Sequence, residues 1–143
     1  MFDPSRDQAR AFFFDTWRKY RDGTPLVGLE NVGLDVILLH PEYHAVLEDP
    51  EKHLTQEYFP EGGATNPFLH LSLHLALEEQ LSIDQPPGIA RHLATLAARH
   101  GDRHAALHEA LECLAETVWR AQRDRAPPDT DAYLECLARR ARG

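Results

Sequence analysis

At four places a short polar residue stands directly before a proline: Asp3-Pro4, Thr24-Pro25, Asp49-Pro50 and Asn66-Pro67. Such a pair opens a helix well. The polar side chain caps orphan backbone N–H groups, and proline's fixed φ suits the first helical position. The first pair predicts a helix over residues 4–20, with Gly23 just beyond it. The second opens an apolar segment, LVGLENVGLDVILLH, which the His40-Pro41 step ends or kinks because the residue before proline avoids the helical region. Asp49-Pro50 starts a short polar turn or helix, and Glu61-Gly62-Gly63 reads as loop. Asn66-Pro67 opens FLHLSLHLALEEQLSI, closed by Gln85-Pro86-Pro87-Gly88. A short helix over 89–99 stops at Gly101, Asp102 caps a long one reaching about 123, and a last helix covers 130–140. No run alternates between apolar and polar residues as a half-buried strand does. The expectation is an all-α helical bundle with about four core helices plus short flanking helices, in a single domain over residues 1–143.

Composition narrows the function classes. The formal charge is −8 at pH 7 and the pI about 5.5, a field that repels phosphate backbones and anionic lipid, so neither nucleic acid nor a membrane surface is expected as a partner. Apolar stretches such as 36–39 fall far below the roughly 18 residues of a membrane span, and the opening MFDPSRDQAR is no signal peptide. Two cysteines, Cys113 and Cys136, form no CxxC pair. That speaks against a disulfide scaffold and a thiolate zinc site, and suits a reducing, cytoplasmic setting.

Nine histidines carry the rest of the reading. With His70 at zero on a helical wheel, His74 falls at about 40° and Glu78 at about 80°, inside the stripe made by Leu73, Leu77 and Leu81. The helix after Asp102 repeats the pattern: His104, His108 and Glu112 stand at the same angles beside Leu107, Leu111, Ala115 and Val118. His-x3-His-x3-Glu therefore occurs twice, each time on the face expected to meet the core. Side chains one turn apart sit about 5–6 Å from each other at Cβ, close enough to share a metal or line a pair of metals. The plainer reading of each is a core histidine bonded to a carbonyl or an acid. In an antiparallel arrangement both pairs lie at the same end of the bundle, and the preceding helix delivers His40 and His44 there too. Glu42 or Tyr43 would then orient a ligand. His53, His92 and His100 stand beside charged or loop residues and read as surface. Phe12, Phe13, Phe14, Trp17 and Trp119 read as packing.

The stretches MFDPSR, HPEYH, NPFLH-x-S-x-H, EEQ followed by DQPPGI, and GDRHAALH resemble a small family of uncharacterised bacterial proteins classed as a domain of unknown function. The likeness covers nearly the whole chain and places all three histidine pairs inside its motifs. A weaker resemblance is to the hemerythrin-like and DinB-like four-helix metal bundles. His74-x3-Glu78 and His104-x3-His108 match two hemerythrin-like elements, whereas the closing HxxxxD is absent, since Cys113 stands five residues after His108. His44 with His70 and His74 imitates the three-histidine DinB-like set.

The expected function is a transition-metal site inside the bundle, iron or zinc before copper or nickel, built from His70, His74, His104, His108, His44, His40, Glu78 and Glu112. Such a site belongs to a non-haem metalloenzyme or an oxygen-binding protein acting on a small molecule that the sequence does not name. The alternative is a non-enzymatic adaptor, binding a protein partner or a second copy, with the histidines as a buried hydrogen-bond network. A pH sensor is a third reading, and it predicts lost stability between about pH 6.5 and 5.

Overall fold

The computed structural model describes residues 6–53 and 66–143. Among the described residues eight α-helices follow one another: α1 (Arg6–Asp22), α2 (Leu29–Leu38), α3 (His44–Leu47), α4 (Pro50–His53), α5 (Pro67–Ile83), α6 (Ile89–His100), α7 (Arg103–Asp124) and α8 (Thr130–Arg142). A 3₁₀ turn, Pro41–Tyr43, joins α2 to α3. No strand occurs among the described residues, and the all-α expectation holds. The described residues fall into two compact units, one ending at residue 75 and one spanning 76–143. The expected loop at Glu61-Gly62-Gly63 and the start of the first helix lie outside the described residues.

In the first unit, Phe13, Phe14 and Trp17 of α1 pack with Val36 and Ile37 of α2, Leu47 of α3, and Phe68, Leu71 and Leu75 of α5. The i, i+1, i+4 spacing on α1 puts its three aromatics on one face, as read from the sequence. Phe14 meets Phe68 at 5.3 Å between ring centroids. Gly33 lets α2 approach α1 closely, because a Cβ there would stand 2.9 Å from Phe12 Cε1. Arg10 is buried as well; its Nη1 donates to the His53 carbonyl at 3.0 Å while the guanidinium covers Phe68.

The second helix does not start at Pro25. It starts at Leu29, after Gly28 adopts φ 56°, a conformation few other residues tolerate. Gly28 has no capping side chain, and Glu30 substitutes for one by accepting from the Val27 N–H at 3.0 Å. Its other oxygen takes the Lys19 ammonium at 2.7 Å. The capping chemistry thus sits on Glu30 rather than on Thr24. Lys19, and after it the Val27 N–H, hold the Glu30 carboxyl below the ordinary carboxylate range. Its contribution to stability is present above that range, about pH 4.3, and is lost as pH falls through the lowered folded value. Acid unfolding followed by circular dichroism should accordingly show a shallower loss between about pH 5 and 3 in Glu30→Gln than in the wild type. Equal slopes would remove Glu30 from the account.

The second unit holds the last turns of α5 with α6, α7 and α8. Asp84 closes α5 and, with φ 51°, accepts from the Ala90 and Gly88 N–H groups, so it caps the following helix. Gly101 stops α6 in the left-handed region, as its position predicted. Asp102 caps α7 through the His104 and Ala105 N–H groups, and Asp129 caps α8 through Ala132. Leu93, Leu96, Leu107, Leu114 and Leu137 are buried in this unit.

Two readings need correction here. Cys113 and Cys136 are joined in a disulfide that ties α7 to α8, their Cα atoms 5.9 Å apart. Spacing along the chain could not show this, because the two helices come together only through tertiary packing. Trp119 is not a packed aromatic: it is 57% exposed, with the Arg123 guanidinium 4.9 Å above its ring.

Candidate metal centre

His40 stands where α2 has ended and Pro41 forbids its continuation. Its backbone, at φ −127° and ψ 66°, leaves the helix, and its ring folds back over the last turn. Nδ1 lies 2.8 Å from the Val36 carbonyl oxygen. A carbonyl only accepts, so Nδ1 carries the proton and Nε2 carries the lone pair. This is how a metal-binding histidine is oriented by a partner behind it. The reach-back to a carbonyl four residues earlier is the feature of this site that the sequence reading missed. A histidine one step beyond a helix end and directly before proline was its only signal.

His70 and His74 come from the first two turns of α5. Asn66 sets that helix's start, its Oδ1 accepting from the Phe68 and Leu69 N–H groups at 3.0 and 3.1 Å. One turn apart, the two rings lie 4.7 Å from each other between centroids, and their Nε2 atoms are 3.2 Å apart. At that distance either one ring donates its N–H to the other, or both lone pairs face a shared cation. The His40 ring is 4.9 Å from His70 and 4.4 Å from His74. One nitrogen from each of the three lies within 4.8 Å of the others. Two imidazoles on a tetrahedral ion with metal–nitrogen bonds of about 2.05 Å have nitrogens about 3.3 Å apart. The His70–His74 spacing fits that value.

The surroundings are aromatic and largely dry. His40 and His74 are each 1% exposed, and His70 is half-buried. Tyr43 stacks on His40 at 5.7 Å with an interplanar angle of 11°, and meets His70 edge-on at 6.0 Å. Burial, and after it the Glu42 charge, raises the Tyr43 phenol above its ordinary range, so it stays protonated. Glu42 itself is exposed.

Each of the other predicted residues has partners of its own. His44 follows the 3₁₀ turn, stacks on Trp17 at 4.4 Å, and its Nε2 meets the Ile37 carbonyl at 2.9 Å. His104 and His108 share a face of α7 within the second unit, half-buried, with ring centroids 4.3 Å apart. Both carboxylates are held by arginines: Glu78 takes a two-point ion pair from Arg103 at 2.9 and 3.1 Å, and Glu112 binds Arg140 at 2.6 Å. Of the outlying histidines, His100 is exposed and pairs with Glu109, whereas His53 and His92 are half-buried.

Three imidazoles brought this close offer a set of nitrogen donors that suits zinc, iron, copper or nickel. No helix among the described residues is long and apolar enough to cross a membrane. Neither the curated proteins nor the solved structures contain a match to this chain. A family model does match, over residues 5–139, and so takes in His40, His70, His74 and both cysteines. As the sequence motifs led one to expect, the chain belongs to the family described as Domain of unknown function (DUF1841).

Proposed function

We propose that this protein binds a transition-metal ion, iron or zinc, through His40, His70 and His74, and uses the remaining coordination positions for water or dioxygen. The observation that carries the reading is the Val36 carbonyl behind His40, which engages Nδ1 of a buried imidazole while one nitrogen each of His40, His70 and His74 lie within 4.8 Å of one another. A buried neutral imidazole has one N–H and one lone pair to satisfy, and three rings brought together can satisfy their lone pairs on a shared cation. Such an ion supplies a Lewis acid, and an activated water or a dioxygen ligand is the chemistry that follows from it. The chain's own part is to orient the three rings, with Tyr43 covering one side of His40 and limiting water there.

The same reading makes the protein a non-haem metalloenzyme or oxygen-binding protein that works on a small molecule. The charge of −8 opposes nucleic acid and anionic membranes as partners. The test is the metal content of tag-free protein by inductively coupled plasma mass spectrometry, as purified and after reconstitution of the apoprotein. About one iron or zinc per chain is expected, in line with a single three-histidine site. Protein that takes up neither metal would make the three histidines a hydrogen-bond network, and the adaptor reading would replace this one. His104 and His108, on α7 of the second unit, belong to the candidate set by their sequence spacing. The same measurement on His104→Ala and His108→Ala decides whether the ligand set extends beyond three.

A further inference from the structure

The disulfide of the second unit is unevenly placed. Cys113 on α7 is 1% exposed, whereas Cys136 on α8 is half-buried. Both cysteines line a cavity of about 210 Å³, and Cys136 also lines a larger one of about 580 Å³. The larger cavity is walled by Arg99, Arg139 and Arg140, against Glu109 and Glu116. Arg139 and Arg140 follow Cys136 by three and four residues, so all three share one face of α8. Arg140 pairs with Glu112 and Glu109. Arg99 directs Nη1 to the neutral Arg140 and Ala141 carbonyls, and Arg139 comes no closer than 3.9 Å to Glu135. Three guanidinium groups against two carboxylates thus line the cavity beside the half-buried Cys136, and Arg139 is held only by a long ion pair to Glu135. The volume suits a small ligand, and the charge selects an anionic one.

We propose that Cys113–Cys136 is an exchange site for an anionic low-molecular-weight thiol, which enters the arginine-lined cavity and attacks Cys136. The thiolate sulfur forms a new S–S bond to Cys136 Sγ. The Cys113–Cys136 bond breaks, and its electron pair leaves on Cys113 as a thiolate that then takes up a proton. A second thiol attacking the small-molecule sulfur of the mixed disulfide releases Cys136 and one oxidised dimer of the thiol. Two thiols are thus oxidised and one protein disulfide is reduced. Without the second thiol, Cys113 attacks Cys136 and expels the first thiolate, restoring the bond. Access chooses Cys136 as the attacked sulfur, since Cys113 is covered by the packing of α7.

The test uses the folded full chain and two thiols of one skeleton, 2-mercaptoethanesulfonate and cysteamine, with rates compared per unit of thiolate. Free thiols are trapped with iodoacetamide and the peptides mapped by mass spectrometry. The expected result is a mixed disulfide on Cys136 with alkylated Cys113, forming about 5-fold faster with the sulfonate than with the amine. That ratio should shrink toward unity in Arg139→Gln, an exposed position, and in wild-type protein at high salt. Equal rates in the wild type, a mixed disulfide on Cys113, or exchange only after unfolding in urea would each overturn the proposal. The salt series needs no variant, so a poorly folding substitution leaves the outcome readable.

Discussion

His74→Ala protein is expected to carry less than about a tenth of the wild-type metal, with an apparent affinity weakened at least 100-fold. Loss of a supporting group alone costs metal sites about 10- to 100-fold, and His74 is proposed as a ligand itself. Its ring lies within 4.4 Å of His40 and 4.7 Å of His70 between centroids, so removing it leaves two donors where three converged. The informative comparison is His44→Ala. Sequence spacing offers both residues as ligands, but His44 turns its Nε2 to the Ile37 carbonyl and packs its ring against Trp17. Metal content of His44→Ala should stay near the wild type while thermal stability falls. Equal metal loss in both variants would sink the three-histidine assignment. Affinity should also fall on acidification, because each imidazole must shed its proton to bind, and titration with metal at several pH values measures this.

Phe13→Ala should destabilise the fold by about 3–5 kcal/mol. Phe13 is fully buried at the centre of the cluster formed by α1, α2, α3 and α5, and meets Phe12 edge-on at 5.2 Å. Truncation removes the ring's burial and leaves a cavity that helices on several sides cannot all close. Urea unfolding measures the change. A loss below about 1.5 kcal/mol would mean that the neighbours collapse into the space, and that Phe13 is not the centre of this core. Tyr20 is 45% exposed on the same helix, and its replacement by alanine is the comparison that should cost far less.

The parts of the fold legible beforehand share one property: their signals are local. Asn66-Pro67, Asp102 and Asp129 each place a capping oxygen within three residues of the N–H groups it satisfies, and the helices begin there. Thr24-Pro25 carried the same signal and failed. Gly28 reset the backbone and Glu30 supplied the cap from inside the helix, so the start moved to Leu29. The helical wheel likewise put His70 and His74 on one face of α5, because a spacing of four is one turn. Applied to His40 and His44 the same spacing misled. A 3₁₀ turn intervenes after Pro41, and residues four apart no longer share a face across it.

By itself, then, the sequence determined that the chain is helical, where most helices begin and end, and which imidazoles ride on the same turn. Tertiary structure decided what each of those side chains meets. Glu78 and Glu112 had ligand spacing, but Arg103 and Arg140, 25 and 28 residues away, claim their carboxylates. Cys113 and Cys136 bond across 23 residues because α7 and α8 pack together. His40 joins His70 and His74 across a separation of about 30 positions, its lone pair aimed by a carbonyl that no residue type encodes. Periodicity fixes direction within a helix, whereas partners come from packing between helices, where charge pairing and burial select among groups that spacing leaves equivalent.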